Sequence, residues 1–135
     1  MDPMDPPEGS IKTVSVLIVD DQQPFRDVAR TVIGMSAGFE VVAEAASGEE
    51  AVAAVDASAP DLVLMDINLP GMSGIEATCE ITASHPTVSI VLLSTYSEAD
   101  LPSDARDCGA IAYVHKEDFG PALMRQLWDE RSGKA

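Results

Sequence analysis

The chain has 135 residues, the usual size of one domain, and is long enough to bury a core without disulfides or structural metals. Apolar residues make up 46% of it and aromatic residues only 4%, which favours an α/β fold of aliphatic strands and helices over an aromatic-rich β-sandwich. Eight Lys and Arg against 23 Asp and Glu give a formal net charge of -15, so direct binding to nucleic acid or to an anionic membrane is not expected.

The N-terminal segment and the two cysteines predict neither a targeting signal nor a disulfide or metal site. The N-terminal residues lack the basic start and long apolar run of a secretory signal, so we interpret residues 1–12 as a flexible tail. No stretch approaches the length of a membrane span, and a cytoplasmic location is expected. Cys79 and Cys108 are far apart in sequence and fit neither a disulfide framework nor a zinc site, so both are expected to be small buried residues.

The first part of the chain predicts a strand, a helix and a second strand. The apolar run from Thr13 to Val19 is typical of a buried strand, and it ends abruptly in Asp20-Asp21. Pro24 suits the first turn of the helix that follows, and residues 40–45 predict the second strand. The predicted apolar stripe of the helix comprises Phe25, Val28, Ala29, Val32 and Ile33.

The middle of the chain continues this alternation. The motif Ser-x-x-Glu at 47–50 predicts a helix start, because its side chains can bond the free amides of a first turn, and Pro60 ends that helix. An apolar run over 62–65 predicts a third buried strand that ends on Asp66. After a loop rich in turn residues, the same capping motif at 73–76 begins a third helix.

The last part of the chain predicts two more strands and two helices. Residues 89–93 and 110–114 are apolar runs that end in a Ser-Thr pair and a His-Lys pair, respectively. Because proline is tolerated in a first turn, Pro102 predicts a short fourth helix that begins near Leu101. The final helix begins near Pro121, and its predicted buried residues are Leu123, Met124, Leu127 and Trp128.

Strands separated by helix-length segments predict a five-stranded parallel sheet with right-handed crossovers and helices on both faces. Ligands bind such sheets beyond the carboxyl ends of the strands, where Asp20, Asp21 and Asp66 are expected to meet. Three carboxylates that close cannot all stay ionised without positive charge. A hard cation such as Mg²⁺ would compensate them, with Lys116 as a second cation on the far side.

Each of these residues also has a simpler interpretation. The acidic pair could be a solvated loop at the start of a helix, where negative charge is favoured. Asp66 could be a turn residue, Ser94 a capping hydroxyl and Lys116 a surface lysine. The coincidence of all of them at strand ends favours a site.

The order Asp-Asp, Asp, Ser-Thr and Lys at four strand ends resembles the receiver domain of bacterial two-component response regulators. The resemblance covers nearly the whole chain and implies the flavodoxin-like (βα)5 receiver fold. The receiver domain would span residues 13–131, and residues 132–135 would form a C-terminal tail. The matching segments are Val16–Asp21, Leu64–Gly74, Leu93–Thr95 and Gly109–Lys116.

The resemblance implies a role for each site residue. Asp66 would accept a phosphoryl group, Ser94 would hydrogen-bond it, and Lys116 would pair with it once it is attached. Ser94 and Tyr113 would form the switch, Tyr113 by changing rotamer. The metal, Mg²⁺ or Mn²⁺, would be held by Asp21, Asp66 and the backbone carbonyl of Asn68, with Asp20 acting mainly through water on the metal.

The resemblance also implies a signalling switch that catalyses only its own phosphorylation and dephosphorylation. Its phosphoryl donor would be a sensor histidine kinase or a phosphotransfer protein, its downstream partner is unidentified, and homodimer formation is open. An aspartyl-phosphate phosphohydrolase is the main alternative, but that class has a second Asp where Asn68 stands. A third is a flavodoxin-like cofactor module, or a receiver that works without phosphate; no glycine-rich phosphate loop follows the first strand, and the key side chains are present.

Several positions depart from the family pattern or modify it. Glu117 replaces the proline that usually follows the lysine, which puts the usual cis peptide in doubt. Asn68 and Tyr96 occupy positions that tune phosphoryl lifetime in the family, although Tyr96 could equally be a loop aromatic. No output domain follows Trp128, so the chain is either a stand-alone receiver, which we favour, or a piece of a longer protein.

Overall fold

The structure is a computed structural model that describes residues 13–95 and 108–133. The predicted N-terminal tail, the fourth helix predicted at Leu101 and Pro102, and the position of Tyr96 lie outside these ranges. Within the part of the chain that the structure describes, none of the helices has the length and apolar character needed to span a bilayer.

The described strands form one parallel sheet in the order β2-β1-β3-β4-β5. This confirms the predicted five-stranded parallel sheet. The elements in chain order are β1 (Val14–Val19), α1 (Gln23–Gly34), β2 (Phe39–Ala45), α2 (Gly48–Ser58), β3 (Leu62–Asp66), α3 (Gly74–Ser84), β4 (Ser89–Ser94), β5 (Ala112–His115), a 3-10 turn (Lys116–Asp118) and α4 (Pro121–Gly133).

Two apolar layers cover the faces of the sheet, because alternate side chains of each strand point to opposite sides. On one face Leu17 and Met65 pack with residues of α2 and α3, such as Val55 and Ile81. On the other face the strands pack against α1 and α4, whose Met124 is buried. Helices therefore lie on both faces, as the sequence predicts.

The two predicted capping motifs begin α2 and α3. Ser47 accepts a hydrogen bond from the amide of Glu50 at 3.1 Å, while the Glu50 carboxylate accepts from the amide of Ala46. At α3 the exchange is reciprocal: Ser73 accepts from the amide of Glu76 at 3.1 Å, and Glu76 accepts from the amide of Ser73 at 2.9 Å. This capping box fixes the start of α3 a few residues after Asp66.

Two predicted buried side chains are exposed. Val28, assigned to the apolar stripe of α1, is 52% exposed, because the buried face centres on Ala29 and Ile33 and Val28 lies about 100° around the helix from Ala29. Cys79 is also exposed, since α3 turns residues such as Ala77 toward the sheet instead. The prediction of burial is confirmed for Cys108.

Candidate functional site

Three carboxylates meet where β1 and β3 end side by side. Asp20 follows β1 and is fully buried, Asp66 is the last residue of β3 and is 4% exposed, and Asp21 is exposed. One oxygen from each carboxylate lies within 4.8 Å of the others. Their proximity follows from the parallel pairing of β1 with β3, which brings the two carboxyl ends to one edge of the sheet.

Asp20 is bonded through both carboxylate oxygens. Its Oδ1 accepts from the amide of Gln22 at 2.8 Å, and its Oδ2 accepts from Nζ of Lys116 at 2.6 Å. The backbone carbonyl of Asp20 accepts from Nη1 of Arg26 at 2.6 Å. These contacts allow a carboxylate to be buried, because each removes an unsatisfied polar atom.

Lys116 lies between two of the carboxylates. Its Nζ is 2.6 Å from Asp20 and 3.5 Å from Oδ1 of Asp66, and it lies 4.5 Å from the centroid of the Phe25 ring. The long side chain reaches from the end of β5, at the edge of the sheet, to the end of β1, and its placement opposite a metal stays a prediction. Lys116 already compensates part of the negative charge.

The carboxyl group of Asp66 holds its proton more strongly than an ordinary aspartate. Burial, and after it the negative charge of Asp20, raises its pKa from 3.8 to about 6. The charge of Lys116 and the amide of Asn68, which donates to Oδ1 of Asp66 at 3.3 Å, oppose this rise. The charge of Lys116 is thus not enough to keep the pKa of Asp66 at its ordinary value, and a further cation at the cluster would favour the ionised form of Asp66.

The loop after Asp66 is closed by a glycine. The amide of Gly74 donates to the carbonyl of Ile67 at 3.0 Å, and the amide of Ile67 donates to Leu93 of the neighbouring strand at 3.0 Å. A Cβ at Gly74 would lie 1.9 Å from the carbonyl oxygen of Asp66, which no side chain can occupy. The close approach of α3 to the end of β3 therefore requires glycine at this position.

The remaining predicted site residues lie on neighbouring strands. Ser94 ends β4, is 3% exposed, and stands one residue beyond Leu93, the register partner of Asp66. Tyr113 is half-buried on β5, pairs in register with Leu92, and packs against the core layer of α2 and α3. The structure thus brings the three aspartates and Lys116 into one cluster and places Ser94 at the end of the adjacent strand. Tyr113 lies on β5, two residues before the end of that strand.

Three residues of this region were given no role in the site by the sequence interpretation: Phe25, Arg26 and Gly74. A basic residue one turn into the helix that follows an acidic pair was the available signal for Arg26, and the glycine before a capping glutamate was the signal for Gly74. Nothing in the sequence pairs Phe25 with Lys116. Among residues 13–95 and 108–133 no peptide bond is cis, so the bond between Lys116 and Glu117 is trans.

A family model described as the response regulator receiver domain matches residues 16–127. The chain is 36% identical over 114 residues to the transcriptional regulatory protein DegU of Brevibacillus brevis, covering 84% of this chain and 48% of that protein. It is 43% identical over 113 residues to the transcriptional regulatory protein PdtaR of Mycobacterium tuberculosis, covering 80% of this chain and 54% of that protein. The chain spans about half the length of these curated relatives.

Solved structures of the same kind superpose closely. The signal receiver domain of the response regulator NarL from Mycobacterium tuberculosis matches with a TM-score of 0.82 and 25% identity, covering 90% of this chain and 98% of that one. A two-component response regulator of the LuxR family from Aurantimonas matches with a TM-score of 0.77 and 35% identity, covering 85% of this chain and 81% of that one.

Proposed function

The chain belongs to the response-regulator receiver family, and from this premise we propose that Asp66 is the residue that accepts the phosphoryl group. Phosphoryl acceptance followed by a conformational switch is typical of the family. The observation that carries the assignment is the burial of Asp66 at the end of β3, where its carboxylate lies within 4.8 Å of the other two acids and 3.5 Å from Nζ of Lys116. The proposed catalytic activity of the chain is limited to its own phosphorylation and dephosphorylation.

The proposal includes a divalent metal, Mg²⁺ or Mn²⁺. Asp20, Asp21 and Asp66 supply the hard oxygen ligands that Mg²⁺ prefers, and they cluster within the distance that one ion bridges. The backbone carbonyl of Asn68 is the proposed fourth ligand. Because both oxygens of Asp20 already have partners, its assignment to an indirect role through water agrees with its contacts. When bound, the cation would offset negative charge on the phosphoryl oxygens.

The side chains at the site are positioned to assist phosphoryl transfer to Asp66. An oxygen of Asp66 attacks phosphorus while the bond from phosphorus to the donor breaks, a step that depends on positioning and on neutralised charge. Lys116 lies 3.5 Å from Oδ1 of Asp66, close enough to move from Asp20 to the attached phosphoryl group. Ser94, at the end of the adjacent strand, would donate its hydroxyl to a phosphoryl oxygen.

The proposed switch couples Ser94 to Tyr113. Movement of Ser94 toward the phosphoryl group would leave space on the same side of the sheet for Tyr113 to turn inward, shifting the population toward an active state. The proposed donor is a sensor histidine kinase or a phosphotransfer protein, which implies a cytoplasmic location. The downstream partner is a protein of unidentified class, and homodimer formation stays open. Contact with DNA would require a further domain.

The test is phosphorylation by acetyl phosphate with Mg²⁺, followed by intact mass measurement. Wild type should gain one phosphoryl group only when Mg²⁺ is present, and Asp66→Asn should gain none. Asp21→Asn, which removes an exposed ligand, should need more Mg²⁺ to reach the same extent. Phosphorylation of Asp66→Asn, or equal phosphorylation of wild type in EDTA, would refute the assignment.

A second variant separates acceptance from response. Lys116→Ala should still be phosphorylated to some extent, but the Mg²⁺-dependent change in Trp128 and tyrosine fluorescence on adding beryllofluoride should be smaller than in wild type. A full response in this variant would contradict the role given to Lys116.

A further inference from the structure

The two cysteines, 29 positions apart in sequence, are neighbours in the folded chain. Cys79 lies on α3, and Cys108 stands just ahead of β5. The hydroxyl of Thr82, one turn beyond Cys79, lies 3.2 Å from the carbonyl oxygen of Cys79 and 3.0 Å from that of Cys108. A single threonine side chain therefore spans the gap between the two cysteine backbones.

Close packing at Gly109 keeps this arrangement tight. Gly109 has a φ of +98°, in the region that favours glycine, and a Cβ there would lie 3.1 Å from both Oγ1 and Cγ2 of Thr82. The segment that leads into β5 thus lies directly against α3. Cys79 is among the groups that raise the pKa of the Cys108 thiol, after its burial, so the two side chains lie near one another.

The two thiols differ in their exposure to solvent. Cys79 is exposed to solvent, whereas Cys108 is 3% exposed. Burial, above all other causes, raises the pKa of the Cys108 thiol, so this thiol is the weaker nucleophile toward a small molecule in solution. An exposed thiol beside a buried one is the arrangement in which the first is oxidised and the second resolves the product.

We propose that Cys79 and Cys108 form a reversible intramolecular disulfide when the protein meets a hydroperoxide. The thiolate of Cys79 attacks one peroxide oxygen, the O–O bond breaks, and Cys79 becomes a sulfenic acid as the peroxide is reduced. The sulfur of Cys108 then attacks the sulfur of Cys79, releasing water and forming the S–S bond. Two thiols and one hydrogen peroxide give one disulfide and two waters, and a dithiol reductant reverses the change.

The bond would join α3 to the segment entering β5. Cys108 is followed closely by β5, which carries Tyr113, so the disulfide would tie α3 to the strand of the proposed switch. None of the residues of the acidic cluster takes part. The modification is therefore chemically separate from phosphorylation, and its test does not require a phosphorylated protein.

Trypsin gives a direct assay, because the sequence has no Lys or Arg between Arg30 and Arg106 or between Arg106 and Lys116. Cys79 falls in the peptide 31–106 and Cys108 in the peptide 107–116, and each peptide holds one cysteine. Folded, reduced protein is treated at low concentration with hydrogen peroxide, quenched, alkylated and digested. We expect a cross-linked mass joining the two peptides, and its loss on treatment with dithiothreitol.

Cys79→Ser and Cys108→Ser are the matched controls. Neither should give the cross-linked mass, and Cys108→Ser should accumulate sulfenic acid at Cys79, detected by its adduct with dimedone. Non-reducing electrophoresis should show the oxidised wild type as a monomer. Oxidation of the wild type only to a dimer linked through Cys79, or to a sulfinic acid with Cys108 still alkylated, would overturn the proposal.

Discussion

At the scale of single residues, the ionisation of Asp66 opposes folding in the metal-free protein. Its pKa of about 6 in the folded chain lies above the ordinary value of 3.8, so the folded state binds the proton more tightly than the unfolded chain does. The stability contributed by this proton is present in full below about pH 4 and is lost as the pH rises through about 6. Above that range the folded protein carries a charge that burial and Asp20 disfavour.

Asp66→Asn should therefore raise the free energy of unfolding of the metal-free protein by about 1–3 kcal/mol at pH 7.5, because it removes the buried charge. The gain should shrink as the pH falls toward 4. Urea denaturation in EDTA at a series of pH values measures both effects. Asp21→Asn, at an exposed carboxylate of the same cluster, is the control and should change the stability much less. A variant at position 66 that is less stable than wild type at pH 7.5 would contradict this account.

At the scale of elements, the junctions between strand ends and the helices that follow them shape the site. Arg26 on α1 contacts the carbonyl of Asp20 and pairs with Glu44 of β2 at 3.1 Å, with only 14% of its side chain exposed. Gly74 at the start of α3 allows that helix to approach the carbonyl of Asp66. Each junction fixes the backbone that carries one of the acids, so a change there should act on the site through position.

Arg26→Met should weaken Mg²⁺ binding by about tenfold, because loss of the contact to Asp20 frees the backbone of the acidic pair. Isothermal titration with Mg²⁺ measures the affinity. Arg30→Met is the matched control: Arg30 pairs with the same Glu44, but 59% of its side chain is exposed and it has no described contact with Asp20. Equal affinities in the two variants would show that the contact to Asp20 does not position the metal ligands.

Gly74→Ala should lower the free energy of unfolding by about 2 kcal/mol or more, because the added Cβ would overlap the carbonyl of Asp66 and force α3 away from β3. Gly34→Ala provides the comparison. It also lies in a helix, but nothing lies within 4 Å of the position that its Cβ would occupy, so this change should be neutral or stabilising. Urea denaturation of both variants tests the difference; two equal losses would point to a general cost of alanine instead of the clash.

At the scale of the whole molecule, the strand order decides where the site lies. β1 is bonded to β2 on one side and to β3 on the other, so the chain reverses its direction across the sheet between β1 and β3. The helix after β1 packs on one face of the sheet and the helix after β3 packs on the other, so a crevice opens between them at the strand ends. Asp20 and Asp66 border this crevice. On the face of the sheet that α1 covers, α4 packs beside α1. Trp128 of α4 meets the Phe39 ring edge-on, with the ring centroids 6.3 Å apart.

Met124→Ala should destabilise the fold by about 2–4 kcal/mol, since Met124 is 1% exposed and fills the layer between α4 and the sheet. Mg²⁺ affinity should change little, because the acidic cluster lies at the strand ends and not in this layer. Val28→Ala, at the exposed valine of α1, should alter stability by less than about 0.5 kcal/mol. Thermal and urea denaturation measure both; a loss of similar size at Val28 would contradict the burial assigned to the two faces.

Local pattern was enough to predict the strands and helices that the structure describes and the acids at their ends, whereas the helix predicted near Leu101 lies outside the described residues. Continuous apolar runs, helical spacing of apolar residues and the Ser-x-x-Glu motif depend only on neighbours in sequence. The parallel sheet and the capping box at Ser73 therefore followed from the sequence and were confirmed. Because parallel strands share one carboxyl edge, the meeting of Asp20 with Asp66 also followed. Their assigned roles in phosphoryl transfer stay predictions.

Only the tertiary structure decided which distant side chains touch. The pairing of Lys116 with Asp20, 96 positions apart, depends on the reach of a long side chain from one strand end to another. The exposure of Val28 and Cys79 depends on which sector of each helix faces the sheet, and that sector is narrower than the apolar stripe in the sequence. Periodicity carries no information on these contacts, because they are set by how finished elements pack against one another.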